Sequence, residues 1–413
     1  MRTQQITLSL ISIATLATLA ACGGSGSSAV DPAPKIKFSS QVSFGDSLSD
    51  VGTYKVGTVA ALGGGKYTIN SASAKNWTEI VAADLGQSAP CAAQTGLDGL
   101  ASQGFSVPVK NNVGCTGYAQ GGARVTNFVG PGNKLLGGNN AILGQLTVPV
   151  VRQIQNHLDA SGGKFSGTEI VFILAGANDG FIQASTLSAA ATAAAGEAVK
   201  AAVPGQIPKE IANGTCKPAE AQTVCVAAAV TTLTPTVGAA AGAAYAKANA
   251  QTYVDAMGTA GTELAGYINT MVLAKGAKYV AVVNLPDLSK TPSALVQSTD
   301  TQTLLNGMTV TFNARLLAGL AGNDNVLLVD LFTRFRDYAA NPTAYGIINA
   351  TTPACDLTSP KNPLGSSLVC SANNLIAGDT SKYLFADTVH PTPLGQALFA
   401  SFITEELSKR KWK

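Results

Sequence analysis

Four short runs of apolar residues recur along the chain and constrain its fold more than any other feature. They are rich in Val, Ile and Leu and lack the alternation of a half-exposed strand; they lie at 41–44, 169–174, 278–284 and 325–330. Such runs are typical of strands covered on both faces, as in a parallel sheet. Helical patterns lie at 149–158, 253–274, 301–320 and 393–407. This alternation predicts an α/β fold, a three-layer α/β/α sandwich with a mainly parallel central sheet.

One segment, at about 188–250, differs from the rest in composition. It is dominated by Ala, with scattered Gly, Thr and Val. Because Ala is the strongest helix former, the segment predicts an Ala-rich helical hairpin inserted into the sandwich. Two uses stay open for it: extra packing against the domain, or a lid or wall over a binding cleft.

The N-terminal residues have the pattern of an export signal. Arg2 precedes an apolar run at 6–20, which is shorter than the roughly 20 residues that a membrane-spanning helix needs. The sequence Leu19-Ala20-Ala21-Cys22 resembles the lipobox of bacterial lipoproteins. We therefore expect a lipoprotein signal peptide at 1–21 and a lipid on Cys22. Gly23 rather than Asp follows, which favours the outer membrane within the cell envelope; a secreted or periplasmic protein is the alternative.

Residues 22–36 follow the signal and are mostly Gly, Ser, Ala and Pro. This composition cannot bury enough apolar area to offset the entropy lost on ordering, so it predicts a flexible tether. The remaining residues, 37–413, are then assigned to one domain that contains the insertion.

The cysteines form an even set once Cys22 is set aside. An even count in an exported chain favours disulfides, although sequence alone does not choose among the possible pairings. The simplest pairing joins the couples that are close in sequence: Cys91 with Cys115, Cys216 with Cys225, and Cys355 with Cys370. None of them has the spacing to histidine of a zinc site, so we expect no metal.

The charge of the chain argues against a nucleic-acid partner. Only 12% of the residues are charged, the formal net charge is +3, and Lys and Arg cluster only at 409–413. A nucleic-acid binder needs a basic stripe that neutralises phosphates. We interpret the basic C-terminal residues as a solvated tail.

Residues suited to nucleophilic catalysis lie in two distant segments. Ser47 follows the first apolar run, and Asp387 and His390 lie just before the last helical pattern. A serine hydroxyl becomes a nucleophile when an imidazole takes its proton and a carboxylate orients that imidazole. The chain has two histidines. Only His390 has a carboxylate three positions away on a Pro-marked loop, whereas His157 lies in an amphipathic helical pattern and is expected at the surface.

Four segments resemble, in order, the sequence blocks of the GDSL, or SGNH, esterase/lipase family. They are Phe44-Gly45-Asp46-Ser47-Leu48-Ser49-Asp50, Ala119-Gln120-Gly121-Gly122-Ala123, Gly176-Ala177-Asn178-Asp179 and Asp387-Thr388-Val389-His390-Pro391. They span nearly the whole exported chain, and four blocks in order are far more specific than one. The resemblance implies an SGNH-hydrolase-like fold and a serine-dependent carboxylic ester hydrolase that forms an acyl-serine intermediate without a cofactor.

The resemblance also implies a role for each matching residue. Ser47 would be the nucleophile, on a tight turn that opens a helix; His390 would be the general base, oriented by Asp387. The oxyanion donors would be the backbone amides of Ser47 and Gly122 and the side-chain amide of Asn178, with Gly121 as the alternative to Gly122.

Other residues of these blocks are expected to support the loops rather than to react. Asp46, Asp50 and Asp179 recur in the family motifs and are interpreted as loop braces. Gly117 stands where the family often has Asn before Tyr-Ala, so a hydrogen bond that braces the second block is expected to be missing.

Together these features predict an exported monomeric esterase or lipase, bound to the membrane by its N-terminal lipid. Its substrate would be an acyl or lipid ester, and the apolar insertion tilts this expectation toward lipids or lysophospholipids. The same triad would serve a carbohydrate O-acetylesterase or an acyltransferase. Outside enzymes, the alternative is a surface binding lipoprotein on a hydrolase fold.

Overall fold

Strands and helices alternate along the part of the chain that this computed structural model describes, residues 36–220 and 222–413. The predicted signal peptide, the lipid site at Cys22 and the tether up to residue 35 lie outside the described residues. The strands are β1 Gln41–Gly45, β2 Gln94–Asp98, β3 Ser106–Asn111, β4 Ile170–Leu174, β5 Tyr279–Val283, β6 Val326–Val329, β7 Asn349–Pro353 and β8 Tyr383–Phe385.

The α-helices differ widely in length, and two of them continue into short π-helical segments, Thr234–Gly238 and Ile268–Leu273. The α-helices are α1 Gly57–Ala61, α2 Trp77–Asp84, α3 Asn139–Leu143, α4 Val150–Ala160, α5 Ala177–Ala212, α6 Val224–Leu233, α7 Ala239–Tyr267, α8 Pro292–Leu295, α9 Thr299–Leu320, α10 Leu331–Ala340 and α11 Pro393–Lys409.

The four predicted apolar runs form one parallel sheet with the strand order β1-β4-β5-β6. Every residue of β1 and β4 is buried. Side chains alternate between the faces of a sheet, so neighbouring positions show what covers each face. Phe172 of β4 packs against Trp77 of α2, whereas Phe44 of β1, paired with Ile173, packs against His157 of α4. Helices therefore cover both faces, which confirms the predicted α/β/α sandwich.

Two smaller sheets were not predicted from the sequence. Strands β2 and β3 form an antiparallel hairpin, and β7 pairs with β8 in parallel. Most residues of β3 are exposed, and β8 has three residues. Neither the apolar runs of a buried strand nor a clear alternation is present in such elements, so the sequence gives little signal for them.

The Ala-rich segment forms the predicted helical hairpin. Helix α5 runs outward and α7 returns, with α6 and the first π-helical segment between them. Two glycines four positions apart allow the helices to approach closely. A Cβ at Gly238 would lie 2.9 Å from the Val199 side chain, and one at Gly242 would lie 3.2 Å from the Ala191 carbonyl.

The returning helix of the hairpin belongs to a long apolar helical stretch. Within the described residues, Val224–Leu273 is long and apolar enough to cross a membrane by length and composition alone. Its second half packs in the core of the sandwich, where Met257 and Leu264 are buried near Phe312 of α9. Core helices share this composition, so the stretch by itself is weak grounds for a membrane segment.

The three predicted cysteine couples are all bonded. They are Cys91–Cys115, Cys216–Cys225 and Cys355–Cys370. The third bond lies next to the Asp387 loop, because the Cys355 amide donates to the carbonyl of Ala386 at 2.9 Å.

The expected surface position of His157 is wrong. Its side chain is buried, with its ring centroid 4.5 Å from that of Phe165, and it also packs against Phe44 and Tyr118. His157 shares one helix face with Ile154, and the aromatic rings of three other segments close over it. Burial lowers the pKa of His157, with a smaller opposing effect from Glu169.

Candidate active site

Three of the resembling blocks meet where the carboxyl ends of the central strands lie side by side. Gly45 of β1 pairs with Leu174 of β4, and the chain continues from these positions to Ser47 and to Asn178. Both side chains line one cleft together with His390. The predicted residues are thus brought together at the carboxyl edge of the sheet, as open parallel sheets place their sites.

The turn that carries Ser47 depends on Gly45. Gly45 has a φ of +148°, and a Cβ there would lie 2.1 Å from the carbonyl oxygen of Leu174. The Gln153 side chain of α4 fixes this glycine from both sides, since it accepts from the Gly45 amide and donates to the Gly45 carbonyl, each at 2.8 Å. Residues 46–49 form turns, so the helix expected to open at Ser47 is not present.

Ser47, His390 and Asp387 form one hydrogen-bonded chain. Nε2 of His390 lies 2.8 Å from Oγ of Ser47. Nδ1 of the same ring lies 2.8 and 2.9 Å from the two carboxylate oxygens of Asp387. This is the arrangement in which an imidazole can take a proton from the serine while the carboxylate holds the ring.

Backbone amides hold the Asp387 carboxylate in place. Oδ1 accepts from the amides of Val389 and His390 at 2.9 and 2.8 Å, and Oδ2 accepts from the amide of Ser367 at 2.8 Å. Burial alone would raise the pKa of Asp387, but the His390 charge and these hydrogen bonds outweigh burial and hold the pKa well below its ordinary value. The carboxylate is therefore ionised at neutral pH and can stabilise a protonated His390.

Tyr67 is a contact of the triad that sequence reasoning missed. Its ring centroid lies 4.6 Å from that of His390, and its hydroxyl accepts a hydrogen bond of 2.6 Å from Gln145. Tyr67 lies outside the four blocks, and its sequence neighbours carry no recognisable signal. Tyr67 therefore packs against one face of the His390 ring, while Asp387 holds the ring at its Nδ1 edge.

The two glycines of the second block differ in what their amides do. The amide of Gly121 donates to Asp50 Oδ2 at 2.9 Å, so it is already engaged. Gly122 lines the cleft with Ser47, and it has a φ of +77°. A Cβ at Gly122 would lie 2.1 Å from the carbonyl of Pro131, so only glycine fits. This geometry favours Gly122 over Gly121 as an oxyanion donor.

Asn178 is held by the second block. Its Nδ2 donates to the carbonyl of Ala123 at 2.8 Å. A primary amide has two donors, so this bond orients the side chain and leaves its second N–H available to a ligand in the cleft. The side chain is buried and lines the cleft beside Ser47.

The three other acids of the blocks hold loops together. Asp50 accepts from the amides of Gly52 and Thr53, in addition to Gly121. Arg124 Nε donates to Asp179 Oδ1 at 2.9 Å, and the Val125 amide donates to Asp179 Oδ2 at 3.0 Å. These bonds tie the residues that follow the second block to α5.

Asp46 has fewer hydrogen-bond partners than Asp50 and Asp179. Its Oδ1 accepts from the Leu48 amide at 3.0 Å, while its buried Oδ2 has no hydrogen-bond partner among the described residues. Burial raises the pKa of Asp46 to about 7, against smaller opposing effects of the Leu48 amide and the His390 charge. This carboxyl group is therefore partly neutral near pH 7.

The loop at Gly117 lacks the Asn of the family and is braced by backbone instead. The Gly117 amide donates to the Cys91 carbonyl at 3.0 Å, and its carbonyl accepts from Ala93 at 2.8 Å. A Cβ at this position would lie 2.8 Å from the same Cys91 carbonyl. The close approach that fixes the loop thus requires glycine.

The cleft around Ser47 has a volume of about 450 Å³. Its walls come from the 58–67, 103–105, 131–145 and 363–366 segments, with Phe181 from the start of α5. None of its described lining residues belongs to 188–250, so in this structure the hairpin packs beside the domain and does not cover the cleft. Within the described residues, no group of three or more His, Cys, Asp or Glu side chains could hold a metal ion.

Comparisons with known proteins agree with this geometry. Residues 236–403 match the family model for the GDSL-like lipase/acylhydrolase. Esterase EstA of Pseudomonas aeruginosa is 32% identical over 146 residues, which are 33% of this chain and 21% of that esterase; Esterase EstA of Pseudomonas putida gives the same values. A GDSL esterase/lipase of Arabidopsis thaliana is 27% identical over 135 residues, which are 30% of this chain and 36% of the plant protein.

These matches cover part of each protein, since the chain spans about a fifth of the length of the EstA esterases. The family match contains Asp387 and His390 but begins after Ser47, Gly122 and Asn178. In the structure His390 lines one cleft with Ser47, Gly122 and Asn178, and Asp387 bonds to its ring from behind. Residues 236–403 are thus similar to the GDSL-like lipase/acylhydrolase family, and the fold and the ordered blocks of the other described residues agree with that similarity.

Proposed function

We propose that this protein is a carboxylic ester hydrolase that works through an acyl intermediate on Ser47. The observation that carries the proposal is the 2.8 Å hydrogen bond between His390 Nε2 and Ser47 Oγ, made by a ring that Asp387 holds from its other edge. The family match and the esterase names of the relatives support the same chemistry.

In the first half of the reaction, Ser47 Oγ attacks the ester carbonyl carbon and its proton passes to His390 Nε2. The carbonyl oxygen becomes an oxyanion, for which the amides of Ser47, Gly122 and Asn178 are the proposed donors. The bond from carbon to the alcohol oxygen then breaks, and His390 gives its proton to that oxygen, so a neutral alcohol leaves.

In the second half, water attacks the acyl-Ser47 carbonyl and gives a proton to His390. The bond to Ser47 Oγ breaks, His390 returns the proton to that oxygen, and a carboxylic acid leaves. Asp387 stays ionised throughout and stabilises the protonated ring.

The proposal is tested by labelling with a fluorophosphonate probe and by p-nitrophenyl acetate hydrolysis. We expect one adduct per chain, on Ser47, and loss of both labelling and turnover in Ser47→Ala. The matched control is Ser49→Ala, since Ser49 is buried in the same turn and its hydroxyl has no hydrogen-bond partner among the described residues. Equal turnover by wild type and Ser47→Ala, or an adduct elsewhere, contradicts the proposal. A wild type with neither labelling nor turnover would favour the binding lipoprotein.

A second candidate, the carbohydrate O-acetylesterase, is favoured by the lining of the cleft. Several neutral hydrogen-bonding side chains surround Ser47 there, among them Gln103, Asn139, Asn140 and Gln145. No Lys or Arg lines the cleft within the described residues. Amides and hydroxyls suit a polyhydroxylated alcohol, whereas a phosphate favours Arg or Lys.

The two substrate classes are separated by product release from defined esters. Acetate released from an acetylated hexose is compared with fatty acid released from a lysophospholipid at equal concentration. Faster acetate release supports the carbohydrate ester, and faster fatty-acid release supports the lipid ester that the composition of the insertion suggested. Release of free acid rather than a transferred acyl group in the presence of excess alcohol distinguishes a hydrolase from an acyltransferase.

We also propose that the protein is exported and held to the membrane by a lipid on Cys22. Support for this comes from Leu19-Ala20-Ala21-Cys22 and from the three disulfides, which are typical of oxidising compartments. Detergent phase partitioning of wild type and Cys22→Ser tests the anchor. We expect the wild type in the detergent phase and the variant in the aqueous phase, and equal partitioning rules out acylation at Cys22.

A further inference from the structure

Two cavities of very different size meet at Ser47. The outer one is the open cleft of about 450 Å³, and the inner one has a volume of about 30 Å³. Both are lined by Ser47, Asn178 and His390, and also by the apolar side chains of Phe181 and Val389. The reacting atoms therefore face both cavities, and Phe181 and Val389 form the apolar wall between them.

The inner cavity is mainly apolar and lies against the core, although Asp46 and Thr291 also line it. Leu288, Phe335, Phe385 and Phe399 line it, and each is 3% exposed or less. Phe181 and Val389 are half-buried and complete the wall toward the cleft. A group held in the inner cavity is thus surrounded mainly by buried apolar side chains.

The order of bond breaking decides which end of an ester fits each cavity. The alcohol leaves first and water must then reach the carbonyl carbon, so the alcohol needs the side that opens to solvent. The acyl group stays bonded to Ser47 Oγ throughout this exchange and needs no exit until the second bond breaks. The small inner cavity, walled by core side chains, therefore suits the acyl group, and the larger open cleft suits the alcohol.

The size of the inner cavity limits the acyl group. One water-sized group needs roughly 10–15 Å³ of such space, so a cavity of about 30 Å³ holds about two or three carbon atoms beyond the carbonyl. Acetyl to butyryl groups fit without rearrangement. A longer chain would have to displace Phe181 or Val389 or lie in the outer cleft.

We propose that the inner cavity is the acyl-binding pocket and that Phe181, Val389 and Leu288 restrict the enzyme to short acyl groups. This inference rests on the proposed ester hydrolysis and adds the substrate class, esters of short-chain acids. The three side chains determine specificity and take no part in proton transfer.

Gly180 offers a variant that makes the pocket smaller. A Cβ at Gly180 would lie 2.9 Å from Cδ1 of Leu288, the end of a flexible side chain. Gly180→Ala should therefore push this methyl group into the cavity. Alanine also favours a helix over glycine, so α5 is not expected to be weakened.

The experiment measures kcat/KM for p-nitrophenyl acetate, butyrate and octanoate in wild type, Phe181→Ala and Gly180→Ala. Each rate is divided by the acetate rate of the same protein, so loss of overall activity cancels. For the wild type we expect octanoate to be at least about tenfold slower than butyrate, because a hydrophobic pocket discriminates by about tenfold or more per methylene that it cannot hold. Phe181→Ala should raise the octanoate-to-acetate ratio by about tenfold. Gly180→Ala should lower the butyrate-to-acetate ratio.

Ile142→Ala is the matched control, because Ile142 lines the outer cleft and does not line the inner cavity. It should leave the acyl-length ratios unchanged and alter the ratio between phenyl and naphthyl acetates. If Phe181→Ala does not fold, Val389→Ala takes its place, with the same expected rise in the octanoate ratio.

The outcomes separate this inference from the proposed function. A wild type that neither hydrolyses acetate nor is labelled at Ser47 contradicts the proposed function. An active, labelled wild type whose acyl-length ratios are unchanged in both the enlarging and the narrowing variant overturns the inference alone. The inference is also overturned if Ile142→Ala changes the octanoate-to-acetate ratio as much as Phe181→Ala does, since the acyl group would then lie in the outer cleft.

Discussion

The loops at the catalytic edge and the distal hairpin at 188–250 are ordered in different ways. The loops have little regular structure, yet they are buried and their polar atoms bond to distant segments, as between Asp50 and Gly121 or Asp387 and Ser367. In the hairpin the backbone bonds are local to its helices, and apolar side chains such as Val224 remain 47% exposed.

This difference between the catalytic loops and the hairpin indicates where substitutions should affect catalysis. At the catalytic edge these hydrogen bonds position the residues proposed to react and the loops that carry them, so removal of one partner changes the site itself. In the hairpin the contacts are small, numerous and local, and none of its described residues lines the cleft. Changes there should alter stability or surface properties and leave turnover nearly unchanged.

Among changes that keep the Ser47 nucleophile, the largest expected effect is that of Asp387→Asn. An amide in this position would still accept a hydrogen bond but would favour the wrong tautomer of His390 and could not stabilise its charge. We expect kcat for p-nitrophenyl acetate to fall by about 10⁴-fold, the cost known for such a change in a serine triad. Circular dichroism spectra should show an unchanged fold, and a loss below about tenfold would mean that Asp387 does not orient the base.

The next effect is the loss of an oxyanion donor in Asn178→Ala. We expect kcat to fall by about 10²- to 10³-fold with little change in KM. The control is Asn249→Ala in the hairpin. The side-chain amide of Asn249 donates to the backbone carbonyl of Tyr245 within the same helix. The comparison between the two regions fails if both alanine variants lose activity equally.

Removal of single disulfides compares the two regions directly. The Cys355–Cys370 bond adjoins the Asp387 loop, so its removal should lower the free energy of unfolding by about 2–5 kcal/mol and also reduce kcat. Removal of Cys216–Cys225 should increase protease cleavage of the hairpin and leave kcat nearly unchanged. Thermal melts, limited proteolysis and turnover of the two double serine variants test this, and equal loss of kcat in both would contradict it.

The smallest effect concerns the pH dependence of stability at Asp46. Its pKa is about 7 when folded and near 4 when unfolded, so between these values the folded chain holds a proton that the unfolded chain has released. The contribution of Asp46 to the free energy of unfolding therefore falls as the pH rises from about 4 to about 7. Asp46→Asn lacks this dependence, and its Tm relative to wild type should be higher at pH 8 than at pH 5. An equal Tm difference at both pH values would show that the carboxyl is not neutralised by burial.

The strands of the central sheet, the pairing of cysteines that are close in sequence, and the meeting of Ser47 with His390 could be predicted because their signals are local. A run of apolar residues marks a buried strand wherever it lies, and short motifs mark the reactive turns. The topology of a parallel sheet then brings its strand ends together without any knowledge of side-chain packing.

What could not be predicted depends on contacts between distant segments. His157 is buried because Phe44, Tyr118 and Phe165 close around it, and none of these is near it in sequence except Phe165. Tyr67 against His390 and the Ser367 amide on Asp387 are contacts of the same kind. The two small sheets were missed because exposed and very short strands carry little apolar pattern.

The hydrogen bond between Ser47 and His390 joins residues that are 343 positions apart. Contacts of such long range form late, because the intervening chain must first be ordered. Recovery of ester hydrolysis after dilution from denaturant should therefore lag behind recovery of the helical signal in circular dichroism. The recovered enzymatic rate would then report when the first strand of the central sheet and the turn before the last helix have come together.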